Sequence, residues 1–182
     1  MHPSFQYYEV AIQTPDGRFL AYYSSKGLCG LRFPGTAQKN SRAAQLLPAQ
    51  VQDWHKLTMD ALTAALKGEA PRELPPLDFS SGTDFQRSVW RAMLRINPGK
   101  TWSYGRLAKA IGKPKAVRAA GGACGANQIP IFVPCHRVVA SGNRLGGFSG
   151  PVEWKRKLLA REGAKIDGQL LVRPIPPPGI AS

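Results

Sequence analysis

Hydrophobic and polar residues alternate loosely along the first 33 positions, which predicts a small antiparallel β-sheet. Its three β-prone stretches, separated by turn residues, are 7–13, 18–24 and 28–33. The period then changes, because apolar residues recur at helical spacing between Pro48 and Lys67, and Gly68 is suited to end that helix. A polar loop is expected at 35–45. The first part of the chain is therefore predicted to be a sheet followed by one helix.

Beyond a Pro-rich crossing at 69–81, the pattern changes to short amphipathic segments separated by Gly and Pro. The predicted helices are 84–96, 104–111, 115–124 and 152–162, the last with a basic face that includes Lys155. Short helices joined by such turns are compatible with a helix-turn-helix unit. Apolar runs at 129–133 and 138–140 predict short strands, and the Pro-rich chain after Ile166 predicts a frayed tail.

The helix predicted at 115–124 is unusual for a core helix, because most of its side chains are very small. Ala119 and Gly122 are among them, and Arg118 lies near the middle of the segment. Small side chains allow another backbone to come close. Two interpretations stay open here: tight packing against other helices, and a close approach to DNA.

Positive charge is concentrated in the second half of the chain. The 182 residues have a formal net charge of +14, and residues 83–165 hold 16 basic and three acidic side chains. The remaining residues hold nine basic and eight acidic side chains. A basic region of this kind attracts polyanions, so nucleic acid is the expected partner. A solvated basic face without an acidic partner is the alternative.

Composition excludes several other classes of protein. With 43% apolar and 20% charged residues, the chain suits a globular protein rather than a disordered one. It contains neither an apolar run long enough to span a membrane nor a secretory signal pattern at its N-terminus. Cys29, Cys124 and Cys135 form no C-x-x-C pair, which favours a reduced, cytoplasmic setting. His2, Cys29 and His55 have no metal-ligand spacing, so no metal is expected.

The segment Pro134-Cys135-His136-Arg137 is the most chemically suggestive in the sequence. The thiolate is the reactive form of cysteine, and neighbouring basic groups can favour it. Consecutive residues of a regular strand point to opposite faces, so His136 can assist Cys135 only through a turn or a bridging water. Pro134 favours such an irregular backbone. The alternative, a structural cysteine beside a surface histidine, is the commoner state of an arbitrary Cys-His pair.

Four motifs together favour a reactive Cys135 over a structural cysteine. They are Ser-Tyr-Gly-Arg-Leu-Ala at 103–108, Pro-Lys-Ala-Val-Arg-Ala-Ala-Gly-Gly-Ala at 114–123, Val-Pro-Cys-His-Arg-Val-Val at 133–139 and Trp-Lys-Arg-Lys-Leu-Leu-Ala-Arg-Glu-Gly at 154–163. With them, the sequence closely resembles the O6-alkylguanine-DNA alkyltransferases over about 84–163. The first half is less diagnostic and is only consistent with that family.

The resemblance implies an α+β fold with a two-part organisation. Residues 1–78 are expected to form a ribonuclease H-like sheet-plus-helix domain. Residues 79–166 are expected to form a winged helix-turn-helix-like domain that binds DNA and contains the active site. Residues 167–182 are expected to be a Pro-rich tail.

The resemblance also implies a reaction, in which Cys135 takes the alkyl group from O6 of guanine in duplex DNA. The family's Glu–His–water–Cys relay corresponds to Glu162, His136 and Cys135, with the imidazole accepting the thiol proton through water. Asn127 is expected to brace the turns around the site. The thioether product is a poor leaving group, so each molecule is expected to react once, without a cofactor.

On the DNA side, the resemblance implies that the damaged nucleotide is rotated out of the duplex. Arg118 is expected to fill the vacated space from the minor groove. Tyr104 is expected to press on the adjoining phosphate and to donate a proton to the leaving oxygen, assisted by the backbone N–H of Ser149. The other residues expected to contact DNA or the extruded base are Ser103, Ala119, Gly122, Val138 and Phe148.

Two details of the base pocket belong to the same expectation. The backbone carbonyls of Cys135 and Val138 are expected to accept hydrogen bonds from the exocyclic amine of guanine. Phe148 stands where the family often has Tyr, and it keeps a flat wall for stacking without the hydroxyl group. The activity is therefore expected to persist, and any effect of Phe148 is expected on the substrate range.

Three function classes follow from these features. The first is a DNA-repair alkyltransferase that acts on O6-alkylguanine and O4-alkylthymine as a monomer on double-stranded DNA. The second is a lesion-recognition module that keeps the fold but replaces the nucleophile, typically with Trp. The presence of Cys135 favours the first. The third, a Cys–His hydrolase, has no need of a basic helix-turn-helix unit.

Overall fold

The protein has a mixed α+β architecture in a computed structural model that describes residues 7–35, 46–168 and 170–173. The strands are β1 (Tyr8–Thr14), β2 (Gly17–Ser24), β3 (Gly27–Arg32), β4 (Trp102–Ser103), β5 (Val138–Val139), β6 (Lys165–Asp167) and β7 (Leu170–Arg173). The α-helices are α1 (Ala49–Leu66), α2 (Asp84–Met93), α3 (Tyr104–Ala110), α4 (Val117–Gly125) and α5 (Val152–Arg161). Short 3-10 turns occupy Cys135–Arg137 and Ser141–Asn143.

Strands β1, β2 and β3 form an antiparallel sheet in that order, as the alternation predicts. In the β1–β2 turn, the Thr14 hydroxyl accepts a hydrogen bond from the Asp16 N–H at 3.2 Å and donates one to the Gly17 carbonyl at 2.8 Å. Gly17 has φ +113°, a conformation that side chains disfavour. These features fix the position of Asp16 at the tip of the hairpin.

The sheet is continuous with the hydrophobic core of the second half of the chain. Phe19 of β2 is fully buried, and its ring lies 5.2 Å from the Trp154 ring of α5 in an edge-on arrangement. Phe33 contacts the same indole with a centroid distance of 5.0 Å. Apolar side chains of α1, including Trp54 and Leu62, complete the same core. Helix α5 therefore rests on the N-terminal sheet, which matters for the site described below.

Helices α2 and α3 each begin at a residue whose side chain caps the helix. Thr83 and Gln86 form a reciprocal capping box at the start of α2. The Ser103 hydroxyl accepts a hydrogen bond from the Arg106 N–H at 3.1 Å and caps α3. Strand β4 pairs in parallel with β5, and this pairing places the start of α3 beside the segment that follows Cys135.

Helix α4 divides its small residues between two faces. Ala120, Ala123 and Cys124 are buried, and α4 packs there against α2 and α3. Arg118, Ala119 and Gly122 are exposed at helical spacing, and a Cβ at Gly122 would meet no atom within 4 Å. Both interpretations of the small residues therefore apply, each to one face: tight packing on the inner face and open space on the outer face.

The prediction of a strand at 129–133 is wrong. This segment forms only an isolated bridge between Pro130 and Val133, and Ile131 adopts φ +77°. Pro130 and Pro134 lack the N–H groups that a ladder needs, so the chain turns instead of extending. The Cys135 N–H closes this turn by donating to the Val133 carbonyl at 2.8 Å.

The prediction of a frayed chain directly after Ile166 is also wrong for the residues at 170–173. They form β7, which pairs with β6 around Gly168, and Leu171 is buried in a small cluster with Leu159. The rest of the predicted tail, 174–182, and almost all of the predicted loop at 35–45 lie outside the described residues. Within the described ranges, no helix has both the length and the apolar character needed to cross a membrane.

Candidate active site

Cys135 begins the 3-10 turn that follows Pro134, so the backbone here is a turn rather than a strand. Its side chain is only 2% exposed, yet its sulfur has two polar neighbours. The Asn127 Nδ2 group donates a hydrogen bond to Sγ at 3.2 Å, and the Ser149 Oγ lies 3.1 Å from Sγ. The sulfur is therefore held between two polar side chains.

Asn127 holds the turn before Cys135 with its whole amide group. Its Nδ2 also donates to the Val133 carbonyl at 2.9 Å, and its Oδ1 accepts from the Ile129 N–H at 3.0 Å. The residue is buried at the end of α4. One side chain therefore connects α4, the irregular segment and the sulfur.

His136 is buried beside Cys135, and its Nε2 lies 2.9 Å from Oε1 of Glu162. Burial lowers the pKa of His136 and outweighs the opposing effect of the Glu162 carboxylate. Its Nδ1 is buried and has no hydrogen-bond partner within the described part of the chain. Because the carboxylate accepts from Nε2–H, the neutral ring keeps an acceptor lone pair at Nδ1.

Glu162 follows α5 and is held by several donors. Arg137 donates to its Oε1 from Nε at 3.0 Å and from Nη2 at 2.8 Å, and the Gly99 N–H donates to Oε2 at 3.3 Å. Burial alone would raise the pKa of Glu162, but the hydrogen bonds from His136 and Arg137 outweigh it and lower that pKa. Arg137 also donates to the Ile96 carbonyl at 2.6 Å, so its role here is structural.

Tyr104, the first residue of α3, lies over the loop at 146–147. Its hydroxyl donates to the Gly147 carbonyl at 3.5 Å, and burial raises the pKa of the phenol. A Cβ at Gly146 would lie only 3.0 Å from this hydroxyl oxygen, and Gly146 has φ +68°. The glycine therefore permits the close contact between the loop and Tyr104.

Lys155 is a functional candidate that the sequence interpretation misses, because it assigns this residue to the exposed basic face of α5. The side chain is instead fully buried. Its ammonium group donates to the carbonyls of Val138 at 2.7 Å, Gly147 at 2.9 Å and Leu145. Burial lowers the pKa of Lys155 to about 8. The helical spacing does indicate this burial, because Lys155 lies on the same face of α5 as the buried Leu158 and Leu159, three and four residues later.

The remaining residues expected to contact substrate occupy distinct places. The Val138 carbonyl already accepts from Lys155, and the Cys135 carbonyl accepts from the Val138 N–H. The Phe148 ring is half-buried and lies 5.6 Å from the Phe33 ring. Ser103 acts as the cap of α3. The structure thus brings Asn127, His136, Ser149 and Glu162 together around Cys135 and leaves the Arg118, Ala119 and Gly122 face of α4 exposed.

A cleft of about 610 Å³ lies between the N-terminal sheet and the site. Asn127 and Ser149, the two side chains in contact with Sγ, line one side, and Gly30 and Leu31 of β3 line the other. No group of three or more potential metal ligands occurs among the described residues, and His2 lies outside them. The arrangement provides polar groups at the sulfur and a cleft that the same two side chains line.

Fold and site together define a class: a basic α+β protein with a buried cysteine beside an imidazole–carboxylate pair and a small-residue helix facing outward. Residues 84–164 match the model of the 6-O-methylguanine DNA methyltransferase DNA-binding domain. The chain is 39% identical to the inducible methylated-DNA–protein-cysteine methyltransferase of Bacillus subtilis, covering 78% of this chain and 83% of that protein. It belongs to the methylated-DNA–protein-cysteine methyltransferase family.

Other relatives agree with this membership. The methylated-DNA–protein-cysteine methyltransferase of Saccharomyces cerevisiae is 37% identical, over 69% of this chain and 68% of its own length. The crystal structure of Mycobacterium tuberculosis OGT in complex with DNA superposes with a TM-score of 0.70 at 36% identity, covering 84% of this chain and 90% of that one. The α+β fold is therefore the fold of a solved relative.

Proposed function

We propose that this protein repairs DNA by moving the alkyl group of O6-alkylguanine, and of O4-alkylthymine, onto Sγ of Cys135. Family membership supports alkyl-transfer repair as the activity. The observation on which the assignment of the nucleophile rests is the hydrogen bond from Asn127 to the Cys135 sulfur, one residue from the His136–Glu162 pair. A structural cysteine has no need of these three groups.

DNA binding is the first step of the proposal. The exposed face of α4 enters the minor groove, where Ala119 and Gly122 let the backbone approach and Arg118 enters the stack in place of the extruded nucleotide. The cost of extrusion is a few kcal/mol, which the phosphate contacts of the basic half offset. The M. tuberculosis relative crystallised in complex with DNA supports DNA as the partner, and we propose that the duplex is the form bound.

Proton transfer follows from the tautomer of His136. Glu162 accepts from Nε2–H, so Nδ1 is the basic nitrogen of the neutral ring. Nδ1 accepts the Cys135 proton through a water molecule, and Asn127 stabilises the resulting thiolate by its amide N–H. The buried carboxylate of Glu162 in turn stabilises the imidazolium that forms.

The displacement forms one bond and breaks one. The thiolate attacks the alkyl carbon in line, the C–O6 bond breaks, and the electron pair goes to the guanine oxygen. The Tyr104 hydroxyl donates a proton towards that oxygen, and the Ser149 N–H donates a hydrogen bond. The product is a thioether on Cys135, which is stable, so each molecule reacts once and no cofactor takes part.

The finer architecture belongs to the same proposal. Residues 1–78 form the ribonuclease H-like domain, 79–166 the winged helix-turn-helix-like domain and 167–182 the C-terminal segment that contains β7. The protein acts as a monomer in the cytoplasm, where cysteines stay reduced. Lesion recognition without transfer is the competing function, and the following experiment distinguishes the two.

A duplex with a radiolabelled methyl group on O6 of guanine tests the nucleophile. The wild-type protein and Cys124→Ser should both take up the label, whereas Cys135→Ser should take up none and still bind the duplex. Cys124 is the matched control because it is buried nearby but packs against Met93. Uptake by Cys135→Ser, or none by the wild-type protein, would overturn the proposal.

A further inference from the structure

The tip of the β1–β2 hairpin contacts the last turn of α5, one residue before Glu162. Asp16 accepts two hydrogen bonds from Arg161, at 2.6 Å from Nη1 and at 2.8 Å from Nη2. The ammonium group of Lys157 lies 2.6 Å from the same carboxylate. We refer to Asp16, Lys157 and Arg161 as the Asp16 clamp. The paired hydrogen bonds between the Arg161 guanidinium group and the Asp16 carboxylate fix the orientation of the two groups as well as attracting them to each other.

The Asp16 clamp differs from an ordinary surface ion pair. The Asp16 side chain is only 12% exposed, and the hairpin backbone holds it in place through Thr14. Lys157 and Arg161 are four residues apart on α5, so their like charges repel each other unless an acid lies between them. The hydrogen bond from Arg161 lowers the pKa of Asp16 to about 2, which keeps the carboxylate ionised.

A second contact from the N-terminal half meets the same peptide. Gly68, just after α1, adopts φ +82°, and a Cβ there would lie 2.1 Å from the Arg161 carbonyl oxygen. The Glu162 nitrogen would lie 3.2 Å from the same Cβ. The end of α1 therefore lies against the peptide that joins Arg161 to Glu162, while the Asp16 clamp holds the Arg161 side chain.

We propose that Asp16 is a positioning residue for alkyl transfer, because its hold on Arg161 fixes the end of α5 and so directs the Glu162 carboxylate towards His136. The inference rests on the proposed function, which gives Glu162 the task of orienting His136. It gives the N-terminal half of the chain a role in the rate of alkyl transfer rather than in DNA affinity. The side-chain hydrogen bonds and ion pairs of Asp16 among the described residues all go to α5. We therefore expect the loss of this carboxylate to leave the exposed face of α4 unchanged.

The first test compares Asp16→Asn with two controls. Asp53→Asn removes an exposed acid of α1 that lies 4.0 Å from Lys56, and Ile12→Val removes one methyl group from the buried core at β1. At saturating O6-methylguanine duplex, Asp16→Asn should transfer methyl about tenfold more slowly, since small misplacements of a catalytic group cost this much or more. Its affinity for undamaged duplex should be unchanged, and both controls should react at the wild-type rate.

The second test needs no substrate. The chain contains three histidines, so the Nε2 proton of His136 can be resolved by NMR in histidine-labelled protein. Asp16→Asn should shift this resonance, and Asp53→Asn should not. An unchanged resonance, an unchanged rate, or equal slowing by Ile12→Val would each overturn the positioning role. A wild-type protein that takes up no methyl group would instead refute the proposed function. The resonance measurement does not depend on transfer, so it distinguishes this failure from a failure of the positioning role.

Discussion

At the scale of single residues, the site is a set of buried polar groups that hold one another in a fixed order. Glu162 accepts from Arg137, from Gly99 and from His136, so the imidazole has one available orientation. Asn127 does the same for the sulfur of Cys135. Groups of this kind are costly to bury unless each finds its partner, which explains why so many of them share one small region.

The pH dependence of transfer follows from His136. Only its neutral form accepts a proton, and burial, with Arg137 and Lys155 nearby, lowers its pKa in spite of Glu162. The rate at saturating DNA should therefore be level between about pH 7 and 8 and fall only below the ordinary imidazole pKa of about 6.5. A rate profile measured by single-turnover kinetics checks this. A midpoint near 8.5, the ordinary thiol value, would contradict it.

Folding stability should show a related dependence on pH. A lowered pKa of His136 in the folded state means that the unfolded chain binds the proton more readily, so the contribution of His136 is complete above about pH 6.5 and is lost as the pH falls. Asp16, with its pKa near 2 instead of 3.8, adds a loss at lower pH. Denaturation measured from pH 8 to 3 should show a steady decline. Stability that increases on acidification would contradict this account.

Lys155 is expected to contribute to both folding stability and alkyl transfer, although it makes no hydrogen bond to the Cys135 sulfur. In Lys155→Met, the carbonyls of Val138, Leu145 and Gly147 lose their shared donor, and the free energy of unfolding should fall by about 2–4 kcal/mol. Transfer should slow as well, because the loop at 145–150 contains Ser149. Arg156→Met on the same helix is the control, and equal effects of the two changes in urea denaturation would disprove the role.

At the scale of secondary-structure elements, the sequence predicts most of the helices and the sheet correctly. Periodicity is a local property, which is why α2, α3 and the small-residue helix α4 are predicted directly. The segment at 129–133 fails because its apolar run has the composition of a strand, whereas its prolines and the side chain of Asn127 determine a turn.

The site shows the same division between local and long-range information. Cys135 and His136 are adjacent in the chain, but the pairing of His136 with Glu162 spans 26 residues and was inferred only from resemblance to a family. The burial of Lys155 and the contact between Asp16 and Arg161 depend on how α5 lies against the rest of the molecule. No local pattern reveals such contacts, because charged residues on an amphipathic helix are usually solvated.

The outer face of α4 provides an element-scale prediction. Gly122→Leu adds a side chain where the protein leaves open space, so folding should be preserved or stabilised by up to about 1 kcal/mol. Duplex affinity should fall at least tenfold, because the helix can no longer approach the groove closely. Ala160→Leu, which adds the same bulk to an exposed position of α5, should leave affinity unchanged. Equal duplex affinity of the two variants in fluorescence anisotropy would contradict a DNA-facing α4.

At the scale of the whole molecule, charge is divided between the two halves. We expect the basic half to face the polyanion, and the nearly neutral half supports α5 through Phe19, Asp16 and Gly68. Residues 84–164, which match the DNA-binding domain model, lie in the basic half, whereas Asp16 and Gly68, which contact the end of α5 at Arg161, lie in the other half.

The salt dependence of DNA affinity should show directly whether the basic half contacts the phosphates. Affinity for undamaged duplex should fall by roughly 10³-fold between 50 and 200 mM salt, as for about six phosphate contacts. Anisotropy titrations at several salt concentrations provide the slope. An affinity that does not change with salt would show that the basic half does not contact the DNA backbone.

The central claim is that one sulfur atom receives one alkyl group. Intact-protein mass spectrometry after incubation with excess O6-methylguanine duplex, followed by peptide mapping, measures this directly. The account predicts that each molecule gains a single methyl group, located on Cys135, and that added substrate gives no further gain. Unmodified protein with demethylated DNA, or a methyl group on Cys29 or Cys124, would contradict it.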